Sequence, residues 1–233
     1  MFEVLKNRVF ARLYLAQTVN LFGDAVTWLG LALLAFDLAG PAGSAQVLSF
    51  ALLMRVSSFV IFAPFAGVLA DRIDRKIILV GTHIGRMFII CLLPFVWQVW
   101  QFYVLVMLLN IFNAFFTPTY KATIPLIFSD KNFYSKAIAL SSATYQLLGV
   151  LGPGIAGAFA IWFGTRQIFF IDGITFLIAA ILIFTLPAIL KVKSDAQINK
   201  VWSDLKIGTN PLFKNTQIRI GLLMQLVAAI VGA

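Results

Sequence analysis

The stretch GVLADRIDRK, Gly67 to Lys76, decides how this chain is read: two acids and three bases sit between long apolar runs. Charges placed this way belong at a water interface, so the apolar runs on either side are spans that the loop joins. The composition agrees. Hydrophobic residues make up 61% and charged residues 12% of the chain, with a mean hydropathy of +0.96, whereas about 25% of residues are charged in a soluble domain. The chain reads as an all-α, polytopic membrane protein. Its net charge of +9 does not point to nucleic acid, because bases gathered in connectors between spans are what membrane orientation requires. The single cysteine, Cys91, has no partner in the chain for a disulfide. MFEVLKNRVFARLYL at the start lacks a small-residue cleavage site, and the run after it is too long for a signal core, so the first span is expected to stay in place.

Six runs supply the roughly 20 apolar residues a helix needs to cross about 30 Å of hydrocarbon: 13–36, 45–66, 77–97, 102–118, 137–163 and 167–190. Continuous runs exclude a barrel, whose strands are short and alternating. AGPAGS at 39–44 and GTRQ at 164–167 read as connectors. Counted by alternate connectors, fifteen bases fall on one side and Arg166 alone on the other, with Arg55 and Arg86 inside spans. That asymmetry makes the N-terminus and GVLADRIDRK cytoplasmic. The predicted layout is a cytoplasmic N-terminus at 1–12, a six-helix bundle at 13–190, a cytoplasmic central loop at 191–217 with a surface helix around VWSDLKIG, and the start of a seventh span at 218–233. From Arg219 onward a helix would reach about 21 Å, short of the hydrocarbon thickness, and the sequence is expected to be a truncated half.

GVLADRIDRK resembles the loop between the second and third spans of the major facilitator superfamily, G-x-x-x-D-R-x-G-R followed by R or K. Gly67, Asp71, Arg72, Arg75 and Lys76 fill their places, and Asp74 stands where glycine is usual. GVLGPGIAG on the fifth span is similar to the glycine-proline signature of that superfamily's exporters, carried here by Gly149, Gly152, Pro153 and Gly157; small residues there also serve plain helix packing. NAFFTPTYKATIPLIF, SKAIAL and FFIDGITF follow in matching order. The whole chain resembles the first half of permeases in a macrolide-efflux-like and siderophore-export-like branch. The resemblance implies a six-helix half of a twelve-span fold, built as 3+3 inverted repeats in a bacterial inner or plasma membrane. It implies a gating latch in which Asp71 works against a helix of a C-terminal half. It also implies secondary transport of a small molecule with no cofactor. Gly67 is expected to let two helix backbones approach closely.

Binding and coupling groups in such folds lie near the bilayer midplane. Gln17, Asn20, Asp24 and Thr27 share one face of the first span. Asp24 falls near mid-membrane, where an ionisable group costs about 2.5–3.5 kcal/mol and so needs a cavity or a partner. Arg55 is its natural partner by depth and Arg86 the competitor. Either Asp24 titrates and couples protons to export, or it forms a static buried pair that fixes packing. Asn110 and Asn113 share a face of the fourth span and Tyr145 one of the fifth, as cavity lining or as helix-to-helix hydrogen bonding. The fourth span lacks the R-x-x-Q-G signature of many drug/proton exporters, reading Asn110 to Ala114 instead. Asp37 and Asp172 read as solvated acids toward the outer ends of their spans, and His83 is given no metal or proton role. No phosphate-binding loop, H-E-x-x-H or nucleophile elbow is present, so an enzyme or an ATP-driven pump is not expected. The resulting expectation is a proton-coupled exporter of amphipathic organic compounds, the alternative a non-transporting remnant of such a permease.

Overall fold

The computed structural model describes residues 2–70 and 72–187. Asp71, the loop expected at 191–217 and the span expected at 218–233 lie outside the described residues. The described chain is helical, with no strand among its elements: α1 (Arg8–Ala70), α2 (Arg75–Leu92), α3 (Val99–Ile127), α4 (Lys131–Phe163) and α5 (Ile168–Phe184), with 3-10 turns at Phe2–Lys6 and Leu93–Phe95. α1 is two arms, 8–39 and 41–70, meeting at Gly40, whose φ of 66° and ψ of −176° break the helix. Only glycine adopts that conformation without strain, and Pro41 directly after it suits the first position of the next helix, where no N–H is needed. Each arm is roughly 45 Å long at 1.5 Å per residue, enough for one crossing. The AGPAGS connector predicted from sequence therefore shrinks to a single non-helical residue. Counting the arms separately, six helical segments run through the bundle, α5 being the short one at 17 residues.

Helix ends follow local chemistry. Asp74 caps α2, its carboxylate accepting from the Lys76 amide at 3.0 Å; the residue that departs from the family pattern thus supplies a strong N-cap. Asp130 does the same for α4 through the amides of Asn132 and Phe133. α3 runs well past the 102–118 expected, through Pro118 and Pro125 to Ile127. Proline removes one helical bond and crowds the preceding turn, and one residue beyond the carbonyl that Pro125 frees, Arg75 Nη1 donates to Ala122 O at 2.8 Å.

The arms of α1 pack against α3, α5 and α4, and α2 packs against α3 and α5. The apolar core is divided. One cluster, with Phe10, Leu13, Leu79 and Ile124, fills the end that carries most of the bases. Another, with Leu34, Ile90, Leu93 and Phe102, fills the opposite end. On α1, α2 and α3 polar residues fall between these clusters, Asn20 to Thr27, Thr82 to Arg86, and Asn110 with Asn113, while on α5 Asp172 and Thr175 lie between Phe169 and Phe176 of the second cluster. Large apolar side chains such as Val150, Ile161 and Trp162 are exposed on the outside, as lipid-facing residues are.

Candidate functional site

The polar layer is organised around Arg86. Its guanidinium, 1% exposed, lies 3.8 Å from Asp24 Oδ1. Arg86 Nη2 donates to His83 Nδ1 at 3.1 Å and Nη1 reaches Asn113 Oδ1 at 3.5 Å. The rings of Phe116 and Phe176 lie 4.8 and 4.4 Å from the guanidinium carbon, the planar stacking that suits arginine more than lysine. Because arginine only donates, His83 Nδ1 accepts and the ring carries its proton on Nε2, which is buried without a partner among the described residues.

Asp24 is the exposed member, 28% open, and its other oxygen accepts from Asn20 Nδ2 at 3.0 Å. A turn away on α1, Gln17 presents a buried Oε1 that has no partner. The α1 face read from sequence is thus present, but its base is Arg86. Arg55 instead lies over the Trp28 ring at 4.6 Å. Arg86 reaches across from α2 to Asn113 on α3, in the stretch where the fourth-span signature would place a base.

Several expectations are corrected. Asp172 is not a solvated outer acid: it is 0% exposed, its carboxylate bonded by the Thr27 hydroxyl and by Thr175 Oγ1 at 2.7 Å. Sequence reading passed over it; the available signal was an acid followed by threonine three residues on, inside the otherwise apolar FFIDGITF. Asp37 is solvated as expected, 45% exposed, and meets Arg166 Nε at 3.6 Å. Asn110 does not line a cavity. It is buried and donates to Val106 O of its own helix at 2.8 Å. Thr27 is equally buried, on Asp172. Tyr145 is half exposed on α4. In the glycine-proline stretch only Gly152 sits in a tight approach, against Ala25, while a Cβ at Gly149 meets nothing and one at Gly157 only grazes Leu29. Pro153 lies within the unbroken α4.

At the base-rich end the loop does helix-capping work. Arg75 Nε donates to Ala70 O at 3.1 Å, at the end of α1, besides its bond to Ala122 O. Lys76 Nζ donates to Leu186 O at 2.8 Å, and Arg12 Nη1 to Thr185 O at 3.1 Å, both just past α5. Cations at helix C-termini answer free carbonyls and the macrodipole together. Arg72 also has partners. The close backbone approach expected at Gly67 is not made by any described residue, since a Cβ there meets nothing within 4 Å. At the opposite end Arg166 ties Asp37 to Pro94 O and Val96 O at 3.0 and 2.9 Å, beneath Trp97.

Comparison with known proteins places this geometry. An MFS-type transporter of Bacillus subtilis, YfiS, not itself characterised, is 30% identical over 175 residues, covering 74% of this chain and 40% of that protein. Macrolide efflux protein A of Streptococcus pyogenes is 29% identical over 159 residues, covering 66% and 38%. Multidrug resistance protein MdtG of Dickeya zeae is 32% identical over 124 residues, covering 53% and 30%. The chain thus spans about 40% or less of the length of these curated relatives. A crystal structure of a POT peptide transporter, a mutant in complex with sulfate, shares the fold with a TM-score of 0.66 at 13% identity, over 94% of this chain and 49% of that one. The family model of the Major Facilitator Superfamily matches residues 13–233. An all-helical, multi-pass bundle with a charged layer at mid-depth, matched by that model over nearly its whole length, belongs to the major facilitator superfamily.

Proposed function

We propose that this bundle forms one wall of a secondary active, proton-coupled exporter for amphipathic organic compounds, with Asp24 as the coupling carboxyl. It works in a bacterial inner or plasma membrane with the N-terminus cytoplasmic, and a second set of spans supplies the opposite wall and the helix against which Asp71 latches. The observation that carries this reading is the pair Asp24–Arg86: a partly open acid beside a fully buried guanidinium, at mid-depth between two apolar clusters. A carboxyl that water reaches from one side and a fixed cation stabilises from the other is suited to taking up and releasing a proton. The names of two relatives, a macrolide efflux protein and a multidrug resistance protein, support export of organic compounds, and the few charges outside the Arg86 layer suit an apolar substrate.

The test is uptake of a fluorescent amphipathic dye into everted membrane vesicles with an acid lumen. Protons leaving the lumen drive dye in, and Asp24→Asn is expected to abolish that uptake while leaving downhill dye exchange in place. Unchanged gradient-driven uptake would remove the coupling role and leave Asp24–Arg86 as a static pair.

A further inference from the structure

Asp172 is the acid that the coupling reading leaves unused, and its surroundings are unusually specific. It is fully buried. The Thr27 hydroxyl from α1 and the Thr175 hydroxyl from its own helix bond its two oxygens. It rests directly on the α1 backbone at Gly23, where any Cβ would overlap both its Oδ1 and the Thr175 hydroxyl. Gly23 directly precedes Asp24 in α1, so Asp172 packs on that helix within one residue of the other acid. The charged and titratable groups that act on Asp172 are Asp24 from α1 and Arg86 from α2, and Cys91 of α2 feels its charge in turn. The bases of α4, Lys131 and Lys136, lie in its first two turns at the far end. Among the described residues no base stands within ion-pair distance of Asp172, while Arg86 is already paired with Asp24.

One partly open and one fully buried carboxyl therefore share the Arg86 guanidinium. A carboxylate with no cation of its own is poorly tolerated in such a site and is relieved by a proton. Resting on the proton-coupled reading above, we propose that Asp172 is a second proton-carrying carboxyl, alternating with Asp24 as the partner of the Arg86 charge. In the described arrangement Asp24 is the carboxylate paired with Arg86 and Asp172 holds the proton. In the exchange the O–H bond of Asp172 breaks and an O–H bond forms on Asp24, the negative charge passes to Asp172, and Arg86 turns its pairing accordingly. The net charge of the trio stays at zero during the transfer and falls to −1 when Asp24, being partly open, releases the proton to water, until the next proton is taken up. The threonine hydroxyls fit both forms of Asp172, since a hydroxyl donates to a carboxylate and accepts from a carboxylic acid.

The experiment is difference infrared spectroscopy of the purified protein in lipid nanodiscs, following the C=O stretch of buried protonated carboxyls at neutral pH, together with the vesicle assay. Wild type is expected to show the band. Asp24→Asn is expected to lose it, because the freed Arg86 charge then holds Asp172 ionised. Asp172→Asn is expected to lose the band and gradient-driven dye uptake while keeping downhill exchange. A wild-type spectrum without the band, or an Asp24→Asn spectrum that keeps it, overturns the proposal whether or not Asp172→Asn folds. If Asp24→Asn loses gradient-driven uptake and a folded Asp172→Asn keeps it, Asp172 is no carrier and coupling at Asp24 stands. If both variants keep it, the coupling reading falls as well.

Discussion

Arg86→Met removes the charge at the centre of the polar layer while keeping most of the side chain's length. The structure sets what is lost: the 3.8 Å ion pair with Asp24, the 3.1 Å bond to His83, the 3.5 Å contact to Asn113 and two ring contacts at 4.4 and 4.8 Å. Removing one partner of a buried pair costs about 3–5 kcal/mol. Asp24 is 28% open to water, which lowers that figure, while each desolvated cation–ring contact is worth about 2 kcal/mol, of which methionine recovers about half through its own sulfur–ring contact. The net expectation is a loss of about 4 kcal/mol. Deleting both charges in Arg86→Met with Asp24→Asn leaves no unpaired charge in the pair and is expected to recover about 2 kcal/mol of it, the loss of the His83 bond remaining. Reversible unfolding in mixed micelles, followed by tryptophan fluorescence, reads these differences as shifts of midpoint at constant slope. Additive losses in the double variant, to within about 0.5 kcal/mol, would show that the two residues are not coupled and would reduce the polar layer to ordinary packing. Arg86→Lys is the control: it keeps the charge, gives up the stacked planar fork, and is expected to fall between wild type and methionine.

Asp74→Ala removes the α2 cap and is expected to cost about 1 kcal/mol, with Asp74→Asn close to wild type; faster amide exchange at Lys76 to Ile78 in the alanine variant checks it. Gly67→Ala meets open space and is expected to leave the thermal midpoint unchanged or raise it, whereas Gly152→Ala runs into Ala25 and lowers it; equal effects would refute the packing assigned to α4 and α1. The hydrogen bond from Lys136, aided by its charge, holds Glu3 below the usual carboxylate range. Because the folded value is the depressed one, the contact that docks the N-terminus on α4 is present above the ordinary glutamate range and is lost as pH falls through the lowered value. Proteolytic clipping near residue 3 is therefore expected to rise in acid for wild type, and Glu3→Gln to show the acid rate already at neutral pH.

What the sequence made legible was periodicity and charge. Bare apolar runs locate spans because lipid accepts no unsatisfied backbone, and the spacing of Gln17, Asn20 and Asp24 forces one face whatever the packing. Partner choice was less legible. Arg55 and Arg86 are both at plausible depth in their spans, and only the rotation of each helix, set by contacts distant in sequence, decides that Arg86 turns inward to Asp24 while Arg55 turns onto Trp28. Asp172 was misread for a related reason. Its position near one end of α5 implied solvation, but Asp172 is on the face of α5 that packs against Gly23 of α1, so distance along the helix was a poor guide to distance from water. The fourth span was read as 102–118, but α3 continues through Pro118 and Pro125 to Ile127, and Arg75, forty-seven residues away in sequence, donates to Ala122 O in its last turns.

The positions of these fasteners bear on how such a bundle moves. At one end Arg12, Arg75 and Lys76 grip the carbonyl ends of α1, α3 and α5, and at the other Arg166 ties the first arm of α1 to the turn after α2. Sliding one helix past another inside the bundle would break charge-assisted bonds at both ends, each worth about 1.5–3 kcal/mol. The polar layer between the clusters has no such clamp on the α1 face: Asp24 is partly exposed, and the buried Gln17 Oε1 and Asn20 Oδ1 have no partner among the described residues. A bundle stiff at its ends and unsatisfied along one mid-depth face favours movement as a single body, with the face of Gln17, Asn20 and Asp24 turning toward and away from whatever lies opposite. On that basis a disulfide placed within the bundle, between the first arm of α1 and α5 near residues 12 and 185, is expected to leave gradient-driven dye uptake intact. Loss of uptake on forming that bond, recovered on reduction, would show that the helices of this half must slide against each other.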